Sequence, residues 1–244
     1  MAAIQTCFRR YEKKYLLTPA QQEFILHGAR GYMKEDAYGR YTICNIYYDT
    51  EDYSLIRSSL DKPVYKEKLR VRSYGTPQPQ EDVFVEIKKK VDGIVYKRRV
   101  KLAAGLAPRY LAGDLALSPG GQISREIEWF QRFHRTQPRV FIGYDRMALA
   151  GTEQSELRMT FDTNLRWRDT ALDLRAGGGG ELLLPPERIL MEIKIPDAAP
   201  LWLGRLLSEA GAYPVSFSKY GLCYREHIAP AQADGFEKEA LYSA

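Results

Sequence analysis

Cysteine and histidine are scarce in this chain, with three of each in 244 residues. Cys7, Cys44 and Cys223 lie far apart, are odd in number and lack metal-type spacing. Neither a disulfide framework nor a zinc site is expected, and the thiols read as reduced, which fits a cytoplasmic protein. His27, His134 and His227 are isolated from one another and are expected on the surface or in packing rather than in catalysis. No apolar run approaches the ~18 residues of a membrane span, and the start MAAIQTCFRRYEKKY has no apolar signal core, so no membrane segment is expected. No internal repeat or dividing linker is visible. The run Gly177–Gly180 lacks the lysine and helix of a phosphate-binding loop and reads as a flexible turn.

What is present is a globular composition, 45% hydrophobic and 27% charged, with 17 tyrosines that suit strands and amphipathic surfaces. The 36 basic residues exceed the 31 acidic ones by five, a modest excess that fits an anionic ligand without requiring one. The pattern predicts strands near 9–17, 41–49, 65–74, 82–91, 93–102, 138–150, 156–168, 189–195 and 214–224. Thr18-Pro19 with Gln21 predicts a capped helix to about Tyr32. Further helices are expected at 52–60 with Asp52 as N-cap, at 106–113, at 122–136 with Ile123, Ile127, Phe130 and Phe133 as its packing face, and at 198–210 ending on Gly211. Asp92-Gly93 is a hairpin signal. A single domain over 1–228 is expected, with a loosely ordered tail from 229 to 244.

Side chains alternate between the two faces of a strand, so each strand can be sorted by parity. In Lys68-Leu69-Arg70-Val71-Arg72 three cations share one face within about 14 Å, and they repel unless something anionic lies among them. The same parity collects Arg10, Glu12 and Lys14, then Glu86 and Lys88, then Lys97 and Arg99. Later strands add Arg146, then Arg158, Thr160 and Asp162, then Glu192 and Lys194, and finally Lys219. The alternate positions are apolar: Val83, Val85, Ile87; Leu157, Met159, Phe161; Ile189, Met191, Ile193, Ile195. Twelve cations against four acids is an unusual balance for a face that helices do not cover. Two architectures fit: an open sheet with a solvated charged face, or a closed barrel whose charged interior needs an anion. A polyanion such as a triphosphate would supply the missing charge through bidentate arginine contacts, and the few carboxylates would hold a divalent metal. Salt bridges to neighbouring cations are the other reading of Glu86 and Asp162.

Seven short segments occur in order: Arg10-Tyr11-Glu12-Lys13-Lys14-Tyr15, Lys68 to Arg72, Val85-Glu86-Ile87-Lys88, Tyr144 to Ala148, Arg158 to Thr163, Leu190 to Lys194 and Ser216 to Tyr220. Together they resemble the motifs of the VTC-type polyphosphate polymerase domain, over about residues 8 to 225. That family belongs to the triphosphate tunnel metalloenzymes, related to the CYTH phosphatases and cyclases, and this chain looks like a stand-alone, bacterial-type form. The resemblance implies an α+β fold, an eight-stranded antiparallel β-barrel with helices outside. It also implies transfer of the γ-phosphoryl group of ATP to inorganic polyphosphate, with Mn2+ or Mg2+ as cofactor.

Carried over by motif, Arg70, Arg72, Lys88 and Arg146 would grip the triphosphate, and Glu192 would bind the metal, with Glu12 as a second candidate ligand. Arg10, Lys14, Lys97, Arg99, Arg158, Lys194 and Lys219 would contact phosphates of ATP, polyphosphate or pyrophosphate, Lys14 and Lys219 near strand ends. Lys68 matches no motif residue and reads as a rim charge. Arg10 stands where the CYTH pattern has the first of two glutamates, which weakens a two-metal hydrolysis reading. A phosphohydrolase and a non-catalytic polyphosphate-binding domain remain as alternatives; retention of Glu192 speaks against the second. Nucleic acid is not an expected partner, because no stacking aromatics sit among the inward cations.

Overall fold

Alternating apolar and charged residues settle into strands, and the computed structural model describes residues 11–232 apart from 93, 118–120 and 197. In chain order the elements are β1 (Tyr11–Leu17), α1 (Pro19–Ala29), β2 (Met33–Asp49), α2 (Ser54–Leu60), β3 (Tyr65–Tyr74), β4 (Asp82–Val91), β5 (Ile94–Ala103), α3 (Ala107–Ala112), α4 (Gln122–His134), β6 (Gln137–Gly151), β7 (Arg158–Arg168), β8 (Glu181–Leu182), β9 (Ile189–Ile195), α5 (Leu201–Glu209) and α6 (Lys219–Cys223). The class is α+β. Hydrogen-bonded strands follow the order β1-β9-β7-β6-β2-β3-β4-β5, with β8 on β7, and β1–β9, β9–β7, β7–β8, β2–β3, β3–β4 and β4–β5 pair antiparallel.

The chain forms two compact units. Of the described residues, the first contains 11–42, 144–165 and 184–216, and the second contains 43–143, 166–183 and 217–232. In the first unit Tyr15, Leu17, Met159, Phe161, Met191 and Ile193 form one apolar face, and Ile25 and Ala29 of α1 with Leu203 and Leu206 of α5 cover it. Thr18 caps α1 as its sequence predicts: its hydroxyl accepts from Gln21 N while the Gln21 side chain accepts from Thr18 N. A Cβ on Gly28 would lie 2.4 Å from Leu206 Cδ1, so glycine is what lets α1 and α5 approach so closely. In the second unit Leu69, Val71, Val83, Val85 and Ile87 lie beneath Tyr110 and Leu111 of α3 and Ile127 and Phe130 of α4. The apolar positions sorted by parity are therefore core in both units.

Four expectations are corrected. The eight-stranded barrel is not closed: β1 and β5 end the strand order, and no ladder joins them among the described residues. The strand expected at 214–224 is absent. Pro214 makes one isolated bridge to Tyr15, and Ser218 then caps α6 by accepting from Gly221 N. Lys219 thus opens a helix instead of ending a strand, because a serine cap competes successfully with extended backbone. On α4, Phe133 is 65% exposed and lies off the packing face, where Ser124, Ile127 and Phe130 are buried and Ile123 packs against the core as expected. The second helix begins at Ser54, not Asp52, after Tyr53 with φ of 59°. The tail from 233, like Arg10, Cys7 and Gly93, lies outside the described residues.

What starts α2 is the fully buried Asp49 on β2. Its carboxylate accepts from Leu55 N at 3.0 Å, Ile56 N at 3.0 Å and Thr50 N at 2.8 Å. It also accepts from the hydroxyl of Tyr220 at 2.9 Å, which ties α6 to the same point. Replacing Asp49 by alanine strands buried donors on two helices. The expected loss is at least about 2 kcal/mol of unfolding free energy in a denaturant titration, and wild-type stability of Asp49→Ala would contradict this role.

Candidate phosphate and metal sites

The second unit carries a cation cluster built by strand register. Across β2 and β3, Asn45 faces Arg72 and Tyr47 faces Arg70; across β3 and β4, Arg70 faces Glu86 and Lys68 faces Lys88; across β4 and β5, Glu86 faces Arg99 and Lys88 faces Lys97. Directly opposed residues share a face, so six cations and one carboxylate lie together on the side of the sheet away from the apolar core.

Glu86, 1% exposed, organises them. Its Oε2 accepts from Arg70 Nε at 2.9 Å and Nη2 at 2.8 Å, and Arg72 Nε lies 3.9 Å away. Its Oε1 lies 2.6 Å from Lys97 Nζ. Burial alone would raise the Glu86 pKa, but Arg70, Arg72 and Lys97 overcome it and bring it to about 2, so the carboxylate is ionised at any working pH. Lys97 is pulled down to about 8: desolvation at its ammonium and the neighbouring Arg72 and Arg70 outweigh Glu86.

The arginines are aimed by neutral groups as well. Asn45, fully buried, donates to Ile142 O at 2.9 Å and accepts from Arg72 Nε at 2.9 Å. Arg70 Nη1 donates to the Tyr47 hydroxyl at 3.1 Å, and Tyr47 stacks on Tyr220 at 4.8 Å. Burial would raise the Tyr47 pKa, yet the charges of Arg70, Arg72 and Lys68 and the Arg70 hydrogen bond bring it down to about 8. Lys68 donates to Ser218 Oγ at 3.1 Å, which makes it a tether for the start of α6 rather than a rim charge. The next residue, Lys219, is buried. Arg99 lies over the Phe84 ring at 4.5 Å.

The first unit holds a different balance. Lys14 faces Glu192 and Glu12 faces Lys194 across β1 and β9, while Thr160 faces Glu192 and Arg158 faces Lys194 across β7 and β9. Lys14 Nζ lies 3.5 Å from Glu12 Oε1 and 3.6 Å from Glu192 Oε1. Arg146 binds Asp162 with two parallel hydrogen bonds of 2.6 and 2.7 Å, and its Nη2 lies 3.7 Å from Glu192 Oε2. Burial disfavours the Arg146 charge, but Tyr144, Asp162 and Glu192 hold its pKa well above the ordinary value. Three carboxylates thus stand among four cations, against one among six in the second unit.

Among the described residues no three acidic, histidine or cysteine side chains converge as a metal cage. The donor set nevertheless fits a hard divalent ion. Glu12 and Glu192 bracket a single ammonium, and the buried Thr160 hydroxyl across the ladder from Glu192 has no hydrogen-bond partner. Mg2+-like ions take one or two carboxylates and fill their remaining positions with water and phosphate oxygens.

The structure therefore brings Arg70, Arg72, Lys88, Lys97 and Arg99 together in the second unit, and Glu12, Lys14, Arg146, Arg158, Glu192 and Lys194 in the first. Asn45 and Tyr47 escaped the sequence reading. Their signal was parity: both alternate with the core residues Cys44 and Ile46. His134 pairs with Glu67 at 3.4 Å and His227 stacks on Trp167 at 4.6 Å, neither belonging to these clusters.

The same fold occurs in a Hippeastrum protein assigned as an adenylyl cyclase and described as having a dominant triphosphatase activity. It is 16% identical with a TM-score of 0.51, over 88% of this chain and 94% of that one. A Vibrio parahaemolyticus protein assigned as an adenylate cyclase is 12% identical with a TM-score of 0.47, over 89% and 98% of the two chains. No curated protein matches this chain. The chain belongs to the VTC domain family, whose model matches residues 9–227.

Anion binding at the second unit's cluster should weaken as pH rises through about 8. There Lys97 loses a positive charge and Tyr47 gains a negative one, both changes disfavouring an anion. Titrating tripolyphosphate between pH 7 and 9 into wild type and Tyr47→Phe separates this from the ligand's own ionisation. The variant should lose less affinity across the range, and parallel losses would contradict the assignment.

Proposed function

We propose that this protein is a metal-dependent polyphosphate polymerase that transfers the γ-phosphoryl group of ATP to an inorganic polyphosphate chain. The observation that carries the reading is the charge surplus around Glu86: six cations on one face, three of which, Arg70, Arg72 and Lys97, bear on a single buried carboxylate. Arg72 is buried, Lys68, Arg70 and Lys88 are half-buried, and Lys97 and Arg99 are exposed. Cations crowded in such excess repel unless an anion joins them, and a run of phosphates suits the fork geometry of arginine. Membership of the VTC domain family supports the same substrate class.

Each cluster has its part in this reading. Arg70 and Arg72 are already oriented by Glu86, Tyr47 and Asn45, so binding triphosphate costs little side-chain ordering. Lys88, Lys97 and Arg99 extend the positive face for further phosphates, and Lys219, on its capped helix, contacts them as well. In the first unit Arg146, Lys14, Arg158 and Lys194 are further candidate phosphate contacts. Glu192 and Glu12 would hold Mn2+ or Mg2+, which when bound supplies charge neutralisation on phosphate oxygens. The terminal phosphate of the acceptor is already largely ionised near neutral pH, so no protein base is needed. Alignment and charge neutralisation supply the rate.

A hydrolase reading has one specific support, the dominant triphosphatase activity of the Hippeastrum neighbour. Both readings use the same residues and differ in whether phosphate or water accepts the phosphoryl group.

The test is incubation with ATP and Mn2+, followed by gel detection of polymer. Long polyphosphate is expected. Glu192→Ala should abolish its formation, and Arg70→Gln should lower the rate by about 10²–10³ if Arg70 contacts the transferring group. Phosphate release without polymer would give the protein to the hydrolase reading, and polyphosphate binding with neither product would make it an accessory binder.

A further inference from the structure

The outward strip of α4 is unlike the rest of the surface. Its inward side buries Ser124, Ile127 and Phe130 in the second unit's core. The positions exposed along the helix are Gln122, Arg125, Trp129, Arg132 and Phe133, with no acid among them. Trp129 and Phe133, one turn apart, are 55% and 65% exposed and stack on each other with centroids 4.8 Å apart and planes 11° apart. Arg125 lies one turn before Trp129, and Arg132 precedes Phe133. Two half-buried acids flank the strip: Glu126 pairs with Lys89 at 2.7 Å and Arg98 at 3.0 Å, and Glu128 precedes Trp129, less exposed than Arg125 and Arg132. Tyr96, 43% exposed, lines the hollow beside Glu126.

Two large rings left in water with long cations beside them are costly as a free surface, and their chemistry names an occupant. Trp, Phe and Tyr settle at the boundary between headgroups and acyl chains, while arginines reach back to anionic headgroups. Association with a second copy of this chain is read out separately in the test below. A nucleic acid would need splayed rings to take bases, whereas these two rings stack on one another. We propose that the α4 strip is a docking surface for an anionic lipid membrane, with Trp129 and Phe133 as the inserting wedge and Arg125 and Arg132 as the headgroup contacts. The inference is independent of the catalytic reading.

The test uses the full chain, sedimented with vesicles of phosphatidylcholine alone and of phosphatidylcholine mixed with phosphatidylserine. Wild type should partition onto the mixed vesicles and not onto phosphatidylcholine. The double variant Trp129→Ser, Phe133→Ser leaves every charge unchanged and should lower partitioning by about 10-fold or more. Arg125→Gln with Arg132→Gln should weaken it and flatten its salt dependence. Circular dichroism confirms that each variant remains folded. Failure of wild type to bind mixed vesicles would overturn the proposal. So would undiminished binding of the aromatic double variant, which would place the contact on the phosphate-binding cations. A wild-type dimer made monomeric by the aromatic changes, without vesicle binding, would assign the strip to a second copy and overturn it as well.

Discussion

The carboxylate of Glu86 is the group on which the second unit's charged face depends. Three cations bear on it, two of them guanidinium groups that are themselves largely buried. An ion placed so deep is stable only while its partners stay in place, and the partners are stable only while it does. The arrangement therefore fixes arginine side chains that would otherwise sample many rotamers, and it does so without neutralising them. Asn45 and Tyr47 complete the constraint from the neighbouring strand, each holding one guanidinium by a single hydrogen bond. The resulting surface carries an excess of positive charge on side chains that are already oriented.

The contrast between the units is a matter of balance. Around Glu192 the carboxylates nearly equal the cations in number, and Arg146 gives both terminal contacts of one edge to Asp162. Around Glu86 the cations prevail six to one. A face of the first kind can accept a cation together with phosphate, and a face of the second kind asks for anion alone. The orphaned Thr160 hydroxyl belongs to the first kind, where a metal-bound water or a phosphate oxygen would give it a partner.

Much of this was legible in the chain. Period-two alternation placed Val83, Val85 and Ile87, and equally Met191 and Ile193, in cores, and it placed Arg70, Glu86 and Lys88 on one opposing face. The Thr18-Pro19-Gln21 box fixed the start of α1 to the residue. Three things were hidden. Closure of a barrel is a long-range property that no local pattern encodes, and among the described residues no ladder forms on the outer edge of β5. The segment 214–224 has strand-like composition, but a Ser218 cap and the Tyr220–Asp49 hydrogen bond, across 171 residues, pull it into a helix. Asn45 and Tyr47 carry no charge, so a search for cations passed over them although they hold the cations in position.

The most direct measurement of this account is the unfolding free energy of Glu86→Gln, a change that keeps the side chain's shape and removes its charge. If the buried carboxylate is what holds Arg70, Arg72 and Lys97 on the face, the loss should be about 3–5 kcal/mol, since buried guanidinium groups are left uncompensated. A variant within about 1 kcal/mol of wild type would contradict it, because exposed ion pairs, not a buried anchor, behave that way.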